Sequence, residues 1–321
     1  MACDGSFGHQ AQLAMVEGTG TPASWAAGKK FSFQSCTLAK HGRQILAQGM
    51  TGSRSARFER LREGPYSVAG SILLNVSPGD LDMLLPWILG ADEVATDTFG
   101  LAEDLQEFAV ALDTEEGTFI FTDCKVDTAV IRGQQPGLME QADPDLLTLE
   151  LRIVGKTFIN SGTAFDSLTG MPADIGATDQ VDDPYIFADT AFSLDVGAPV
   201  AATPMSFALV IRNFLQPRFV NSLTATNICP GNIRQIGLRV RTPWNATHAS
   251  LLEPGLGSDG SSTLTITNGD VNTVFTFHRI AAPNKTSTIV RSKGELYLDR
   301  DFRAYAVGST KELSVTNDTT V

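Results

Sequence analysis

The sequence predicts an all-β protein built from two tandem β-sandwich or β-barrel domains, each with one short flanking α-helix. Apolar residues alternate with a period of two in most of its patterned segments, which is typical of half-buried strands. Gly and Phe are frequent, with 29 and 18 copies in 321 residues, and this composition favours strands and turns. One order of elements also occurs twice along the chain, which has room for two ordinary domains.

Three segments carry the clearest strand pattern. Residues 31–38, "FSFQSCTL", place Phe31, Phe33 and Ser35 on one face. Residues 118–131 predict either two strands or one long bent strand. Residues 146–154 put four aliphatic side chains on one side, namely Leu147, Leu149, Leu151 and Ile153. Too few helical patterns separate such strands for βαβ units.

One helix is predicted in "NVSPGDLDMLLPWILGADE". Ser77 is a good N-cap, Pro78 suits the first helical position, and Asp80 favours the positive end of the helix dipole. Gly90 can close the helix, and Pro86 should kink or shorten it. The apolar face consists of Leu81, Leu84, Leu85 and Ile88.

An internal repeat suggests how the chain is divided. The strand and helix from Gly70 to Gly90 match the segment from Gly237 to Gly257 in length, in a Leu-Leu pair and in the closing glycine. Similar strands precede and follow each unit. We therefore expect a first β domain at 1–159, a polar linker at 160–183 and a second β domain at 184–321.

The segment "GTGTPA" at 18–23 fits the letters of a dinucleotide-binding loop but not its context. That loop must open a helix whose N–H groups hold a pyrophosphate, whereas Gly28 and a strand follow here. We interpret it as a glycine-rich bend between two strands. No Walker loop, nucleophile elbow or metal-ligand spacing is present, so no enzyme, catalytic residue, cofactor or metal is predicted.

Charge is unevenly distributed along the chain. The net charge of −12 argues against a general nucleic-acid binder. Residues 29–62 are strongly basic and residues 92–150 strongly acidic. These are either two solvated surfaces, or the basic part of one subunit meets the acidic part of another.

The cell compartment is suggested by what the sequence lacks. No secretory signal or apolar run of membrane-spanning length is visible. The four cysteines are widely separated and lack a C-x-x-C pattern. We expect free thiols in a protein made in a reducing cytoplasm, with no membrane partner.

Several segments, in order, resemble the tail tube proteins of siphophages. The bend "GTGTPA" is followed by Phe31, Phe33 and Ser35, as in the family's opening strands. Residues 49–90 resemble its Arg-rich loop, following strand and amphipathic helix. Residues 119–131 and 184–195 resemble two of its later strands. The chain is thus identified as a member of that family, with two tube domains.

The resemblance implies a structural virion protein located in the phage tail and assembled in the host cytoplasm. Its rings would stack into the tube through which genomic DNA passes without specific binding. Some family members carry two tube domains and form trimeric rings, so we expect a pseudo-sixfold homotrimer, with a hexamer as the alternative. Expected partners are a tape-measure protein and tail initiator and terminator proteins. Another tail component, such as a distal tail or hub protein, or a head decoration protein is the alternative function.

Two groups of residues are candidates for assembly. The loop from Met50 to Gly64 is too polar for a core and too long for an idle hairpin. We expect it to contact a neighbouring ring or subunit through Arg54, Arg57, Arg60 and Arg62, with a flexible surface loop as the alternative. A second group is expected to line an acidic bore or to face a partner, namely Asp113, Glu115 and Glu116.

Overall fold

The computed structural model describes residues 11–46, 61–114, 117–135, 146–172, 183–195, 199–245, 251, 260–282, 287–289 and 296–319. We call residues 11–172 the first half and residues 183–319 the second half. The first half contains strands β1 (Gln12–Glu17), β2 (Lys29–Lys30), β3 (Phe33–Cys36), β4 (Ala39–Leu46), β5 (Leu61–Asn75), β6 (Gly90–Ala95), β7 (Thr98–Leu101), β8 (Phe108–Asp113), β9 (Thr118–Gln134), β10 (Thr148–Gly155) and β11 (Thr157–Ser161), and helix α1 (Pro78–Leu89).

The described part of the second half is made of strands and short 3₁₀ turns, one of which is Phe187–Asp189. Its strands are β12 (Thr190–Asp195), β13 (Pro199–Ala202), β14 (Ser206–Arg212), β15 (Leu215–Arg218), β16 (Asn227–Pro230), β17 (Gln235–Pro243), β18 (Ser262–Asn268), β19 (Val271–Phe277), β20 (Ile280–Ala281), β21 (Ser287–Ile289), β22 (Tyr297–Ala304) and β23 (Leu313–Asp318). The predicted all-β class is confirmed. The second flanking helix was predicted on residues that lie mostly outside those described.

Strand β9 connects two layers of the fold because its two ends belong to different sheets. It is one long bent strand, as the sequence allowed, and Asp123 has a positive φ of 52° where it bends. Its N-terminal part pairs with β8 and β11, and these strands with β1 and β2 form the first cover sheet. Its C-terminal part belongs to a second group of strands, which we call the shared sheet.

The shared sheet is antiparallel and takes strands from both halves. Its order is β3 and β4, then β5, β10, β9, β14, β17 and β22, followed by β20 and β21. The second cover sheet has the order β13-β12-β18-β19-β23-β7-β6 and therefore also joins the halves, through β7 and β23. The domain division at 160–183 stays a prediction, and the two halves share sheets across it.

One apolar core lies between the shared sheet and its covers. Alternation along β10 buries its leucines, as predicted, and Leu151 is fully buried. The core continues from Met15 in the first cover sheet to Phe275 in the second without a break. A smaller cluster lies on the other face of the first cover sheet, where Trp25 and Phe165 pack. Phe165 belongs to the segment expected to be a polar linker, so part of that segment packs on the first half.

Helix α1 begins as the local sequence predicts. The Ser77 hydroxyl accepts a hydrogen bond from the Asp80 N–H at 3.2 Å, and Pro78 occupies the first turn. Gly90 closes the helix with φ 94°, and its N–H donates to the Pro86 carbonyl. Pro86 was predicted to kink or shorten the helix; it does not shorten it, because the helix continues to Leu89, and the kink stays a prediction. Proline so near the end removes one hydrogen bond and leaves the last turn in place.

The glycine-rich bend is confirmed between β1 and β2. Gly18 and Gly20 have positive φ angles of 139° and 71°, which side chains disfavour. The N–H of Gly20 donates to Asp123 Oδ1 at 2.9 Å, which fastens the bend to the turning point of β9. The described cysteines, Cys36, Cys124 and Cys229, are free thiols.

Candidate assembly site

The predicted arginine loop lies mostly outside the described residues. Of its candidates, Arg54, Arg57 and Arg60 lie outside them, and Arg62 is exposed near the start of β5. Arg62 pairs in register with Ile45 on β4, next to the described ends of the β4–β5 hairpin at Leu46 and Leu61. The hairpin forms one edge of the shared sheet, which is compatible with a contact to a neighbouring chain.

The acidic candidates lie elsewhere. Asp113 ends β8 at a hairpin turn of the first cover sheet, where it pairs in register with Thr118. Glu115 and Glu116 lie outside the described residues. The structure therefore puts Arg62 and Asp113 on different sheets and does not bring the two groups together within one chain.

The halves join by ordinary β-pairing in the middle of the shared sheet. Strand β14 of the second half lies antiparallel to β9 of the first half over seven residue pairs, from Ser206 opposite Gln134 to Arg212 opposite Thr128. Nothing in the local sequence of either strand marks this pairing, which is why sequence analysis missed it.

A buried polar cluster fixes the end of this junction. Asn213 is 3% exposed and donates from Nδ2 to the Val126 carbonyl at 2.9 Å. Its Oδ1 accepts from Arg234 Nε at 2.9 Å. Asp127 accepts from the Leu215 N–H at 2.6 Å. Burial lowers the pKa of Arg234, while the carboxylates of Glu103 and Glu312 oppose that effect.

The two halves have the same plan of strand pairing. The cover-sheet order β2-β1-β8-β9-β11 is repeated as β13-β12-β18-β19-β23. In the shared sheet, β3-β5-β10-β9 is repeated as β14-β17-β22-β20. The predicted repeat is therefore confirmed for the order of its strands, and the second helix of the repeat stays a prediction.

The letter register predicted for the repeat is wrong by one residue. Aligning Gly70 with Gly237 sets core-facing Ile72 against exposed Arg239. The pairing matches Leu74 with Val240 instead, since Phe33 lies opposite Leu74 as Phe207 lies opposite Val240. A shift of one residue reverses the face of every side chain in a strand, so only the second alignment keeps the core inside.

One face of the shared sheet is not covered by another described layer. We call it the open face. It carries alternate residues of β9, β10, β14, β17 and β22, and its charged side chains are six arginines and three acids: Arg132, Arg152, Arg212, Arg239, Arg241, Arg303, Glu150, Asp299 and Asp301. This surface has an excess of positive charge in a chain of net charge −12.

Ion pairs organise the open face. Glu150 accepts from Arg152 at 3.0 Å and lies 3.1 Å from Arg132. Arg241 forms a two-point pair with Asp299, with N–O distances of 2.7 and 2.9 Å. The carboxylate of Asp299 raises the pKa of Arg241, chiefly through these hydrogen bonds.

A comparison with protein families decides what this arrangement belongs to. Residues 8–304 match the family model described as "Phage tail tube protein". The chain belongs to the phage tail tube protein family. No curated protein matches it in a direct comparison. The family is one of structural proteins of the phage tail, so this tail tube protein is a structural component of the virion tail.

A second hairpin of the tail tube protein belongs to the second half and packs against the first half. Strands β15 and β16 form it, and Leu215 and Ile228 pack against Leu105. Near its tip, the Leu223 carbonyl accepts from the Tyr66 N–H at 2.8 Å. The tip also exposes three large apolar side chains, Phe219, Val220 and Leu223.

Two features are absent from the described residues of this tail tube protein. No three His, Cys, Asp or Glu side chains among them come together as a metal site. No helix in the described part of the chain is long and apolar enough to span a membrane.

Proposed function

We propose that the chain is the major subunit of a tail tube and that three copies close into each ring. The pairing of β9 with β14 supports this proposal, because it joins two units of the same plan side by side. Repeating one head-to-tail contact closes a ring. Two units in each of three chains give a ring of six similar units, with the proposed domains 1–159 and 184–321 as those units.

The internal junction also indicates which sheet edges would meet between chains. In the first half, the C-terminal part of β9 pairs with β14 of the next unit. Its counterparts in the second half are β20 and β21, and the counterpart of β14 is β3. The edge at β20 and β21 of one copy would therefore pair with β3 of the next. Edge strands with unpaired backbone groups are ready for such addition.

In such a ring the open face lines the bore, because all six units join through one sheet whose other face carries the covers. DNA would then pass over arginine-rich surface. The expectation of an acidic bore stays a prediction for Glu115 and Glu116, while Asp113 lies in a cover sheet and not on this face. Stacking of rings, a siphophage source and the tape-measure, initiator and terminator partners remain part of the proposal.

Electron microscopy with cross-linking tests this function. End-on class averages of the purified protein should have six similar units, and the mass of one ring should equal three chains. Six chains per ring would replace the trimer by a hexamer. Single closed rings that never stack would favour a distal tail component, and chains that stay unassembled even with the tail initiator complex would overturn the tube function.

Paired cysteines test the edges. Gln34→Cys on β3 is combined in turn with Ser287→Cys, Thr288→Cys and Ile289→Cys on β21. Upon oxidation, one combination should give disulfide-linked chains up to a closed trimer. Each single variant is the matched control for the natural cysteines. Rings without a cross-link in any combination would show that other edges meet.

A further inference from the structure

We propose that the open face is a contact surface for the phosphodiester backbone of nucleic acid and that it binds without reading bases. Its place in the bore rests on the proposed function, but its binding chemistry is a property of the single chain. The argument depends on the shape of the surface, on its charge and on its repetition between the halves.

The surface is a shallow groove with a cationic rim. Its volume is about 500 Å³. The floor consists of short side chains, including those of Thr128, Val130, Ala208 and Val210 and the bare backbone at Gly237. The rim carries Arg132, Arg152, Arg212, Arg239 and Arg303 together with one acid, Asp301. Thr128 and Val130 are only 7% and 5% exposed, so a ligand would meet the guanidinium groups of the rim and not the floor itself.

The acids on this face do not neutralise its arginines. Glu150 is shared by Arg132 and Arg152, whose side chains remain 53% and 59% exposed. Arg212 has no acidic partner among the described residues, and the guanidinium of Arg303 lies 5.5 Å from the ring centre of Tyr305. Donors therefore remain for a ligand, and the planar guanidinium matches phosphate oxygens in a two-point geometry.

Phosphate contacts, and not base contacts, fit this groove. The lining residues of the groove include one aromatic side chain, Phe302, which is buried on the core side, and the exposed ring of Tyr305 lies at the rim, where Arg303 covers it. Stacking of bases needs exposed aromatic platforms, whereas arginines on a floor of short side chains position a backbone without selecting a sequence. The neighbouring acids weaken each contact. Since the contacts are made to phosphates, whose neutralisation releases counterions, the affinity should fall as salt rises.

The same pair of an acid and an arginine occurs in both halves, so it would occur in every unit of a ring. Leu151 on β10 matches Phe302 on β22, since they lie opposite Ile72 and Leu238, which are themselves matched. Glu150 and Arg152 therefore correspond to Asp301 and Arg303. Each proposed ring would carry six such acid–arginine pairs at one height. A polyanion would meet many weak, equivalent contacts, none strong enough to stop it.

Fluorescence anisotropy of the unassembled chain with a labelled DNA duplex of mixed sequence tests the proposal. The natural chain should bind weakly, and the affinity should fall steeply between about 50 and about 200 mM salt. The variant Arg212→Gln/Arg303→Gln should lose about tenfold in affinity at the lower salt, and its salt slope should fall by about 2. A duplex of another sequence should bind equally well.

The matched control is Arg218→Gln/Lys311→Gln, which removes two cations from exposed positions off the open face. It should bind as the natural chain does. Equal affinities of the two double variants, or no binding by the natural chain at low salt, would overturn the inference. Equally tight binding of polyglutamate would replace the phosphodiester by an acidic peptide as the ligand. Ring formation is measured separately. If the natural chain forms rings but the Arg212→Gln/Arg303→Gln variant binds DNA as tightly as the natural chain, this inference alone is rejected.

Discussion

Asn213 in the second half donates a hydrogen bond from Nδ2 to the carbonyl of Val126 in the first half, 2.9 Å away. The same nitrogen lies 3.3 Å from the Ile88 carbonyl at the end of α1. Its Oδ1 accepts from Arg234. One buried amide therefore ties together the shared sheet, the helix and the base of the second hairpin.

Replacing this amide by an aliphatic group of similar size should weaken the junction. Asn213→Leu leaves the buried Val126 and Ile88 carbonyls and Arg234 Nε without this partner, which costs about 2–4 kcal/mol in the free energy of unfolding. Urea unfolding of the unassembled chain measures it. The control Asn160→Leu, at the exposed position of β11, should change stability by less than about 0.5 kcal/mol. Equal effects of the two variants would contradict the role of Asn213.

Arg300 occupies a core position and should be replaceable by an apolar side chain. It matches Leu149 of the first half, is 3% exposed, and its Nε donates to the Leu251 carbonyl at 2.7 Å. One of its terminal nitrogens has no hydrogen-bond partner among the described residues, and burial lowers the pKa of the guanidinium. Arg300→Leu removes this uncompensated group and should raise the free energy of unfolding by about 1–3 kcal/mol.

The reverse substitution provides the comparison for Arg300. Leu149→Arg puts a charge where nothing accepts it and should lower the free energy of unfolding by more than about 3 kcal/mol. Denaturant unfolding of both variants checks the pair. A loss of stability in Arg300→Leu as large as that in Leu149→Arg would mean that the bond to Leu251 is indispensable.

Local features were predictable from the sequence because their causes are local. Ser77 and Gly90 bound the helix through hydrogen bonds within a few residues, and the alternating leucines of β10 face the core in the predicted register. The pairing of β9 with β14 joins residues far apart in sequence, and no short pattern specifies it. The repeat was found in its order of elements but misaligned by one residue, because matching glycines set the alignment, whereas strand pairing sets the register.

The candidate site was predictable only in part. The arginine loop drew attention because its charges are close together in sequence. The arginines of the open face come from five strands, each contributing one or two at alternate positions. A signal did exist, because Glu150-Leu-Arg152 and Asp301-Phe-Arg303 have the same acid-x-Arg pattern in corresponding strands. It becomes visible only once the halves are aligned by their pairing.

The closing glycine of α1 should tolerate no side chain. Gly90 has φ 94°, and a Cβ there would lie 2.6 Å from the Asp104 carbonyl oxygen. Gly20 also has a positive φ, 71°, but a Cβ there would meet no atom within 4 Å. Gly20→Ala should cost only the backbone strain of about 1–2 kcal/mol. Gly90→Ala should cost at least about 1 kcal/mol more, measured by thermal unfolding. Equal losses would mean that Asp104 moves aside freely.

A buried tyrosine should make the protein lose stability in alkali. The Tyr185 hydroxyl lies 2.9 Å from Thr273 Oγ1, which donates to Asn317 Oδ1 at 2.6 Å. Asn317 Nδ2 donates in turn to the Pro78 carbonyl at 3.1 Å, which links the second cover sheet to α1. Burial is the main cause that raises the pKa of Tyr185 to about 12 from its ordinary value of 10.0.

The sign of the effect follows from the raised pKa. Above pH 10 the unfolded chain loses the phenol proton while the folded chain keeps it, so the free energy of unfolding falls as pH rises. The loss continues to about pH 12 and reaches about 2–3 kcal/mol. Urea unfolding of Tyr185→Phe and of the natural chain from pH 9 to 12 measures the difference. The variant should lose less stability over that range, while Tyr305→Phe, at an exposed position, should retain the natural dependence. Parallel curves for Tyr185→Phe and the natural chain would mean that the phenol ionises as readily in the folded protein as in the unfolded chain.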